Sequence, residues 1–338
     1  NKLPQIITAM RQQITDCGGE FLFEKKVVDF IVQDQKIISV KTADGNSFEA
    51  DAFILATGHS ARDIFELLHQ KQILIEAKGF ALGVRIEHPQ QLIDSIQYHC
   101  PVRGTFLPPA SYSLVKQVNE RGVFSFCMCP GGIIAPAATA AGELVVNGWS
   151  PSKRNNPYAN SGMVVQVELE DVIQNSLQGP VGKLKIKNDA LVMMHFQQMV
   201  EQNCFNAGGG KFVAPAQRMV DFSNGITSSS LPACSYQPGL QSVHLKEVLP
   251  GFVYQALAKG FIEFGKKMSG YFTNDAVVVA TESRTSSPVR IPRNNDTLTH
   301  PQLNNFYPCG EGAGYAGGIV SAAMDGERVA GQIAFCTT

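Results

Sequence analysis

The spacing of apolar residues predicts a helix at the start of the chain and an antiparallel meander after it. Between Pro4 and Gly18 the apolar positions recur at steps of three and four residues, and Gly18-Gly19 is a typical helix stop. Short segments of β type follow, and the Asp44-Gly45 pair indicates a hairpin. The predicted strands are Glu20–Phe23, Val27–Gln33, Lys36–Thr42 and a continuation to Glu49.

Two segments have the order strand, glycine-containing turn, helix. In each, a segment of strand length runs into a glycine-containing turn and is followed by residues with helical spacing; in the first, the strand is a continuous apolar run. We expect the first strand to be buried on both faces, because its apolar residues do not alternate with polar ones. The predicted parts are Ala52–Ala56, Thr57-Gly58 and Ser60–His69 in one segment, and Asn305–Cys309, Gly310–Gly318 and Ile319–Phe335 in the other.

The middle of the chain is predicted to be β-rich and mostly antiparallel. Short β-type runs alternate with Pro and Gly from residue 79 onward, and Asn206–Gln241, rich in Gly, Ser, Pro and Ala, is interpreted as loop. Helical spacing predicts helices at Asp189–Cys204 and Gly251–Met268. The predicted strands are Phe80–Ile86, Ser111–Val118, Gly122–Cys127, Glu143–Val146, Met163–Leu169 and Ala276–Thr281.

These elements together predict an α/β arrangement at the two ends and an α+β protein overall. The terminal pieces, 1–78 and 270–338, would form one discontinuous domain, and 79–269 would be an inserted β-rich α+β domain. A chain of 338 residues is long enough for this pair of domains.

Charge and composition exclude several classes of function. The 28 basic and 29 acidic residues give a net charge of −1, and no Lys/Arg run is present. We therefore expect no binding to nucleic acid and none to an anionic membrane surface. The cysteine positions lack the spacing of a secreted disulfide scaffold, and no apolar run reaches about 18 residues, so a cytoplasmic location is predicted.

The glycine-rich loop is the first motif that can carry chemistry. Gly312–Gly317 matches G-x-G-x-x-G between a predicted strand and helix, a setting in which backbone N–H groups approach a pyrophosphate. A dinucleotide fold also needs a further strand and an acidic residue about 20 positions later. We therefore interpret the motif as a helix start that stabilises an anionic or electron-rich group; a turn needed only for close packing is the alternative.

The second motif is Glu282–Arg290, which carries two guanidinium groups and four hydroxyls at a strand end. Such groups hold anionic substrates or cofactor edges through charge-assisted hydrogen bonds. A solvated loop closed by a pair between Glu282 and Arg284 explains the same composition.

The third motif is the pair Cys127 and Cys129. It is compatible with a redox dithiol, half a metal site or two small apolar residues of a β segment. No further ligands stand at recognisable spacing in the sequence, so core packing is favoured and no metal site is predicted.

Several stretches together resemble one family, the FAD-dependent dehydrogenases of uncharacterised substrate within the two-dinucleotide-binding-domain flavoproteins. The resemblance covers nearly the whole chain. The A-T-G strand end and the terminal glycine loop are typical of the wider group, whereas R-I-E-H-P and E-S-R-T-S-S-P-V-R specify the family. The stretches are Lys2–Pro4, Cys17–Glu20, Ile54–Asp63, Gly79–Pro89, Cys129–Gly132, Glu282–Arg290 and Cys309–Tyr315.

The resemblance implies an FAD/NAD(P)-binding domain of Rossmann type that lacks its N-terminal ADP-binding segment. The intact protein would bind FAD, a small-molecule substrate and NAD(P)H or another electron donor, whereas this chain alone would be inactive. An apolar groove would then lie beside Phe53–Ala56 and Tyr307–Cys309. The implied cofactor residues are Thr57, Gly58, Gly310, Glu311, Gly312, Ala313, Gly314, Gly317 and Gly318, and the implied catalytic residues are Arg284 and Thr285 at the substrate or flavin edge and Cys129 as a flavin-side thiol.

The leading hypothesis is therefore an FAD-dependent oxidoreductase that transfers hydride through flavin N5. A non-catalytic flavin-binding or ligand-binding module, in which the β-rich region is the functional surface, is the alternative. A dehydrogenase that uses nicotinamide alone is disfavoured, since no second half of a βαβ unit follows Gly317.

Overall fold

The computed structural model describes residues 2–175 and 189–337, side chains excepted at 175 and 335–337. These residues form eight α-helices and a short 3₁₀ turn, Leu245–Glu247. None of the helices in these ranges is long and apolar enough to cross a membrane. The helices are α1 (Lys2–Asp16), α2 (Arg62–Gln70), α3 (Gln90–Tyr98), α4 (Leu169–Asn175), α5 (Val192–Ala207), α6 (Met219–Asn224), α7 (Gly251–Lys267) and α8 (Ile319–Thr337).

Strands of two to ten residues make up one large sheet and four small ones in the described ranges. Their bounds, in chain order, are β1 (Val27–Gln33), β2 (Lys36–Thr42), β3 (Ser47–Glu49), β4 (Phe53–Leu55), β5 (Glu76–Ala77), β6 (Phe80–Pro89), β7 (Val115–Val118), β8 (Arg121–Cys129), β9 (Ile133–Pro136), β10 (Val146–Trp149), β11 (Tyr158–Val167), β12 (Ala214–Arg218), β13 (Leu240–Ser242), β14 (Val277–Glu282), β15 (Val289–Arg290) and β16 (Phe306–Pro308).

The large sheet has seven strands in the order β13-β12-β14-β6-β11-β8-β7. Its neighbours pair antiparallel except β12 and β13, which are parallel. The small sheets are the antiparallel meander β1-β2-β3, the antiparallel pairs β5-β15 and β9-β10, and the parallel pair β4-β16. The molecule is thus a mixed α+β protein.

The two faces of this seven-stranded sheet, called the central sheet below, differ in polarity. Along β6, Leu82, Val84 and Ile86 are buried in the main hydrophobic cluster, which also contains residues of α5 and α7. Alternate residues of a strand point to opposite faces, so Ala81 and Arg85 lie on the other face. That second face is the one from which the candidate site is built.

Smaller clusters stabilise the remaining elements. A second cluster joins the meander, α2 and the strand pair β4-β16 through residues such as Phe30, Phe65 and Phe306. A third packs Tyr307 and Cys309 of the β16 segment against Val329 of α8. Helix α1, in contrast, has no buried residue.

Most of the predicted elements are confirmed. The first helix, the meander Val27–Glu49, the helix after Thr57-Gly58, the long helices α5 and α7, and the final strand, loop and helix all occur at the expected places. The expectation of a mostly antiparallel middle region is confirmed by the central sheet.

The interpretation of Asn206–Gln241 as loop is wrong in part. This stretch contains α6, the whole of β12, which is an inner strand of the central sheet, and the start of β13. Its sequence Ala-Pro-Ala-Gln-Arg has weak β propensity, and pairing with β13 and β14 decides the outcome. Helix α3, which follows Pro89, was not predicted.

Two strand predictions are correct only in part. Of Glu143–Val146 only Val146 lies in a strand, and of Ser111–Val118 only Val115–Val118 does.

Two further strand predictions also need correction. Glu20–Phe23 lies outside every strand of the described chain, and its aromatic residues are exposed. The strand β4 occurs as expected but is not buried on both faces, since Ile54 is 47% exposed. Both segments are apolar but have few partners among the described residues.

The expected division of the chain into 1–78 with 270–338 and 79–269 stays a prediction, as does the incomplete Rossmann-like form of the first domain. The strand β14 lies between β12 and β6 in the central sheet. A boundary after Glu282 would keep that sheet within one domain.

Candidate functional site

The two predicted strand–turn–helix segments come together through a parallel strand pair. Phe306, Tyr307 and Pro308 of β16 pair with Phe53, Ile54 and Leu55 of β4, and the N–H of Cys309 donates to the Leu55 carbonyl at 3.0 Å. The carboxyl ends of parallel strands lie at the same edge of a sheet, which is where α/β proteins bind ligands. The Thr57-Gly58 turn and the Gly310–Gly318 loop are therefore neighbours.

The two turns touch where only glycine fits. A Cβ atom on Gly312 would stand 2.4 Å from the carbonyl oxygen of Gly58, far inside van der Waals contact. Gly58, Gly310 and Gly314 also have positive φ angles of 76°, 74° and 85°, a region that other residues adopt at a cost. The close approach of two backbones thus requires glycine at position 312, and the backbone conformation favours glycine at 58, 310 and 314.

An imidazole and a carboxylate join the same two turns. His59 Nδ1 lies 3.1 Å from Glu311 Oε1, and both side chains are partly buried. Burial lowers the pKa of His59, and the charges of Arg284 and Arg62 lower it further. The Glu311 carboxylate opposes this shift. His59 is therefore held neutral near pH 7.

The glycine loop is anchored from behind by α8. Asp325 accepts the N–H of Gly310 at 2.8 Å and forms a salt bridge with Arg293, whose guanidinium also donates to the Pro308 carbonyl. Tyr315 lies under this guanidinium, with its ring centroid 3.8 Å from Cζ of Arg293. Burial raises the pKa of Asp325, but the hydrogen bonds and charge of Arg293 outweigh it, so the pKa is lowered and the carboxylate is kept ionised.

The outer part of the loop, at the start of α8, is open. The Cβ positions of Gly317 and Gly318 have no atom within 4 Å. The first N–H groups of a helix lack intrahelical partners and carry positive partial charge. The N–H of Gly317 is taken by Ser321 Oγ at 3.3 Å, so it is the first turn of α8 that offers donors to an anionic or electron-rich group.

Beside the His59–Glu311 pair lies a buried network of two guanidinium groups and two carboxylates, formed by Arg62, Arg284, Glu143 and Glu201. Arg284 makes five hydrogen bonds, one for each of its N–H donors: two to Glu201 and one each to Glu143, Ser60 and Thr139.

Arg62 closes the network and connects α2 to α5. It donates to Glu143 at 2.8 Å, to Glu201 at 2.9 Å and to Gln197 at 2.9 Å. Burial raises the pKa of Glu201, but the hydrogen bonds and charge of Arg284, with the charge of Arg62, outweigh it and lower the pKa. The charges of the two guanidinium groups and the two carboxylates therefore balance. The network holds the turn at Ser60 against α5 and the segment after β14.

Thr285 is also engaged within the protein. Its hydroxyl donates to the Ala81 carbonyl at 2.7 Å and accepts the Ala81 N–H at 3.1 Å, which extends the pairing at the start of β6. The Arg284 and Thr285 contacts predicted for substrate or flavin thus compete with strong internal partners, and these roles stay predictions.

A cavity of about 360 Å³ opens between the central sheet and the start of α8. It brings together Thr285, from the Glu282–Arg290 motif, and Gly317, from the glycine loop. Its other walls come from the second face of the central sheet, the one opposite the main hydrophobic cluster, and include Ala81, Phe124 and Phe126.

Cys129 lies on that same face, against a fully buried arginine. Its Sγ is 3.6 Å from a guanidinium nitrogen of Arg85, which also pairs with Glu282 at 2.6 Å and with Asn160 at 3.0 Å. Cys129 donates to the Cys127 carbonyl at 3.3 Å. Burial raises the pKa of Cys127, so that thiol stays protonated near pH 7.

The structure therefore brings most predicted site residues to one edge, though in two groups. Gly58, which Thr57 precedes in the same turn, meets Gly312 of the glycine loop directly, and Thr285 and Gly317 line the same cavity. Cys129 belongs to the Arg85 cluster. In the described part of the chain, no group of three or more His, Cys, Asp or Glu side chains is arranged to hold a metal ion.

Sequence reasoning did not select His59, Arg62, Asp325 or the rings Phe124 and Phe126. His59 follows the Thr57-Gly58 turn directly, so its position beside a predicted cofactor turn was an available signal. The others come from distant segments, and no local pattern assigns them to the site.

Comparisons with known proteins point the same way. The family described as FAD-dependent protein, C-terminal domain-like, matches residues 79–285, more than half of the chain. An uncharacterized protein of Clostridium beijerinckii (strain ATCC 51743 / NCIMB 8052) is 41% identical over 336 residues, which cover 98% of this chain and 60% of that protein. The chain thus spans about three-fifths of the length of this relative.

Proposed function

Because the chain belongs to the family of FAD-dependent proteins that share this C-terminal domain, we propose that the full-length protein is a flavin-dependent oxidoreductase of dehydrogenase type. Its FAD lies against the Thr57-Gly58 turn and the Gly310–Gly318 loop. Its substrate enters between the β-rich region and these loops, and NAD(P)H or another small donor exchanges electrons with the flavin.

The observation that carries this proposal is the contact between the two glycine turns at the ends of β4 and β16. A cofactor with a pyrophosphate and an electron-rich ring edge needs close backbone approach and N–H donors. Gly58, whose Cβ position has no atom within 4 Å, allows the close approach, and the start of α8 offers the donors. Bare backbone at Gly317 and Gly318 leaves the required space. The residues present therefore fit FAD.

FAD, when bound, supplies the hydride chemistry. The chain's own residues orient and tune it. Asp325 and Arg293 hold the Gly310 end of the loop, and the Arg62–Arg284 network holds Ser60 next to His59. The neutral imidazole of His59, held by Glu311, stands where both turns meet and can hydrogen-bond a polar part of the cofactor.

We further propose that another part of the full-length protein completes this site and supplies the ADP-binding segment. Helix α1 presents a row of apolar side chains to solvent, and Ile54 of β4 and Ile319 and Val320 of α8 are also exposed. In the described ranges β4 pairs with β16 alone. These apolar surfaces support the expectation of an apolar groove beside β4, which stays a prediction.

The test is spectroscopic. Purified full-length protein should be yellow, with the absorbance near 450 nm that oxidised flavins share, and should release FAD on denaturation. Anaerobic addition of NADH, NADPH and a panel of alcohols and amines should bleach this band. Colourless full-length protein that takes up no added FAD would overturn the proposal, and bound flavin that no donor reduces would favour the non-catalytic module.

A further inference from the structure

The cavity between the central sheet and the start of α8 has a floor that suits a flat apolar molecule. Ala81 of β6 and the rings Phe124 and Phe126 of β8 lie on one face of the sheet, on either side of β11. Ala81 pairs with Gln166 of β11, and the two Phe residues pair with Val164 and Gly162 of the same strand. Its volume of about 360 Å³ is near the lower end for ligand pockets. A molecule of one or two rings fits this space.

The polar side chains at the rim include donors and acceptors, such as the hydroxyl of Ser286, but the charged one among them, Glu168, only accepts. Gln166 Nε2 donates one of its two N–H groups to Glu168 Oε1 at 2.5 Å, so the amide oxygen of Gln166 stays available as an acceptor beside one remaining N–H. A carboxylate has only acceptor oxygens, so Glu168 adds acceptors of its own. The hydroxyl of Thr285 is saturated by the N–H and carbonyl of Ala81 and offers nothing further.

Lys78, the cationic residue next to Gly79 in the chain, does not change the charge of the cavity lining. Lys78 directs its ammonium at the Gly79 carbonyl at 3.4 Å and does not line the cavity. Burial and the neighbouring Arg290 lower the pKa of Lys78, whereas Glu168 and Glu311 oppose the shift. Among the residues that the structure describes, Glu168 is therefore the only charged side chain that lines the cavity.

From these contacts we propose that the cavity binds a flat, apolar molecule that carries hydroxyl or amino donors, and that it discriminates against anionic ligands. The ring lies on Phe124 and Phe126, and the donor groups hydrogen-bond to Gln166 and Glu168. Naming this molecule as the substrate rests on the proposed flavin function; the ligand class itself does not.

Three matched probes test the ligand class on the full-length protein by ligand-observed NMR and calorimetry. 2-Naphthol has the ring and a donor, 2-methoxynaphthalene has the ring without the donor, and 2-naphthoate has the ring with a negative charge. We expect 2-naphthol to bind about tenfold more tightly than either of the others, the effect of one hydrogen bond to a charged group.

Variants assign this binding to the cavity. Phe126→Ala should weaken all three probes, and Gln166→Leu, a change at the exposed rim that does not endanger folding, should reduce the advantage of 2-naphthol over its methyl ether. Glu168→Gln should raise the affinity for 2-naphthoate. Phe106→Ala, at a fully exposed ring outside the cavity, is the matched control and should change nothing.

The opposite ranking, with 2-naphthoate bound as tightly as 2-naphthol or more so, overturns the proposal, as does 2-naphthol binding that Gln166→Leu leaves unchanged. FAD content is measured on the same preparations. The expected ranking in protein that takes up no FAD would uphold the ligand class and overturn the flavin function. A reversed ranking in protein that contains FAD would overturn the ligand class and leave the flavin function standing.

Discussion

His59 Nδ1 and Glu311 Oε1 are 3.1 Å apart, although the two residues belong to strand–turn–helix segments at opposite ends of the chain. The pair forms because β4 and β16 are adjacent and parallel, which places the two turns side by side. It is therefore a direct reporter of the geometry on which the flavin proposal depends.

The titration of His59 should respond in opposite directions to its two kinds of neighbour. Glu311 raises the pKa of His59, and Arg284 lowers it, against a background of burial that also lowers it. We expect Glu311→Gln to lower the midpoint further below 6.5 and Arg284→Met to raise it, as measured from the imidazole signals by NMR. The same midpoint in both variants would contradict the described geometry.

Substitution of Gly312 should separate the two turns. In Gly312→Ala the new Cβ meets the backbone of Gly58 at 2.4 Å, and backbone atoms cannot move aside cheaply. We expect a loss of about 1–3 kcal/mol in stability and at least a tenfold weaker retention of FAD by the full-length protein. Both are measurable by chemical denaturation and by flavin release.

Gly331→Ala is the control for this change. Gly331 lies within α8, where nothing stands within 4 Å of its Cβ position, and Ala is a better helix former than Gly by about 1 kcal/mol. This variant should be as stable as the original protein or more so and should keep its flavin. Equal effects of the two substitutions would show that the contact at Gly58 is unimportant.

The buried Arg284 network should behave as a unit. Arg284→Met leaves Arg62 facing both Glu143 and Glu201 in a buried site, and removal of one partner from such a network costs about 3–5 kcal/mol. The double variant Arg284→Met/Glu201→Gln restores charge balance and should recover part of this loss. Additive costs in denaturant unfolding would contradict the coupling.

Sequence patterns predicted where helices and strands lie better than they predicted which strands pair with one another. Where a segment has strong local preferences, as in α7 or the meander, the helix or strand is correct. The stretch that contains β12 failed, because Ala and Pro do not favour strands and only the neighbours β13 and β14 make Ala214–Arg218 one.

The candidate site shows the same limit. Glycine positions such as Gly58 and Gly312 were recognisable, since a glycine in a turn itself indicates a backbone conformation or a close contact that other residues do not allow. The internal pairing of Arg284 was not, because its sequence neighbours say nothing of Glu143 and Glu201, which come from distant segments and take three of its five N–H donors. Long-range charge pairing has no local signal.

The last prediction concerns acid stability and rests on His88. This residue is fully buried, its Nε2 is 2.8 Å from the Tyr271 carbonyl, and burial lowers its pKa to about 4. In the unfolded chain an imidazole titrates near 6.5. Between these two values the unfolded state binds more protons than the folded state, so stability falls as the pH falls. The contribution is complete above pH 6.5 and lost by about pH 4, and a difference of 2.5 pH units corresponds to about 3 kcal/mol.

Replacement of His88 should remove this slope. His88→Gln keeps a side-chain N–H for the Tyr271 carbonyl but cannot take up a proton, so we expect lower stability at pH 7 and a flatter profile between pH 6.5 and 4. His69→Gln, at a largely exposed imidazole on α2, is the matched control and should follow the original profile. Urea unfolding at half-unit pH steps measures all three proteins. A His88→Gln profile as steep as that of the original protein would mean that other groups cause the acid loss.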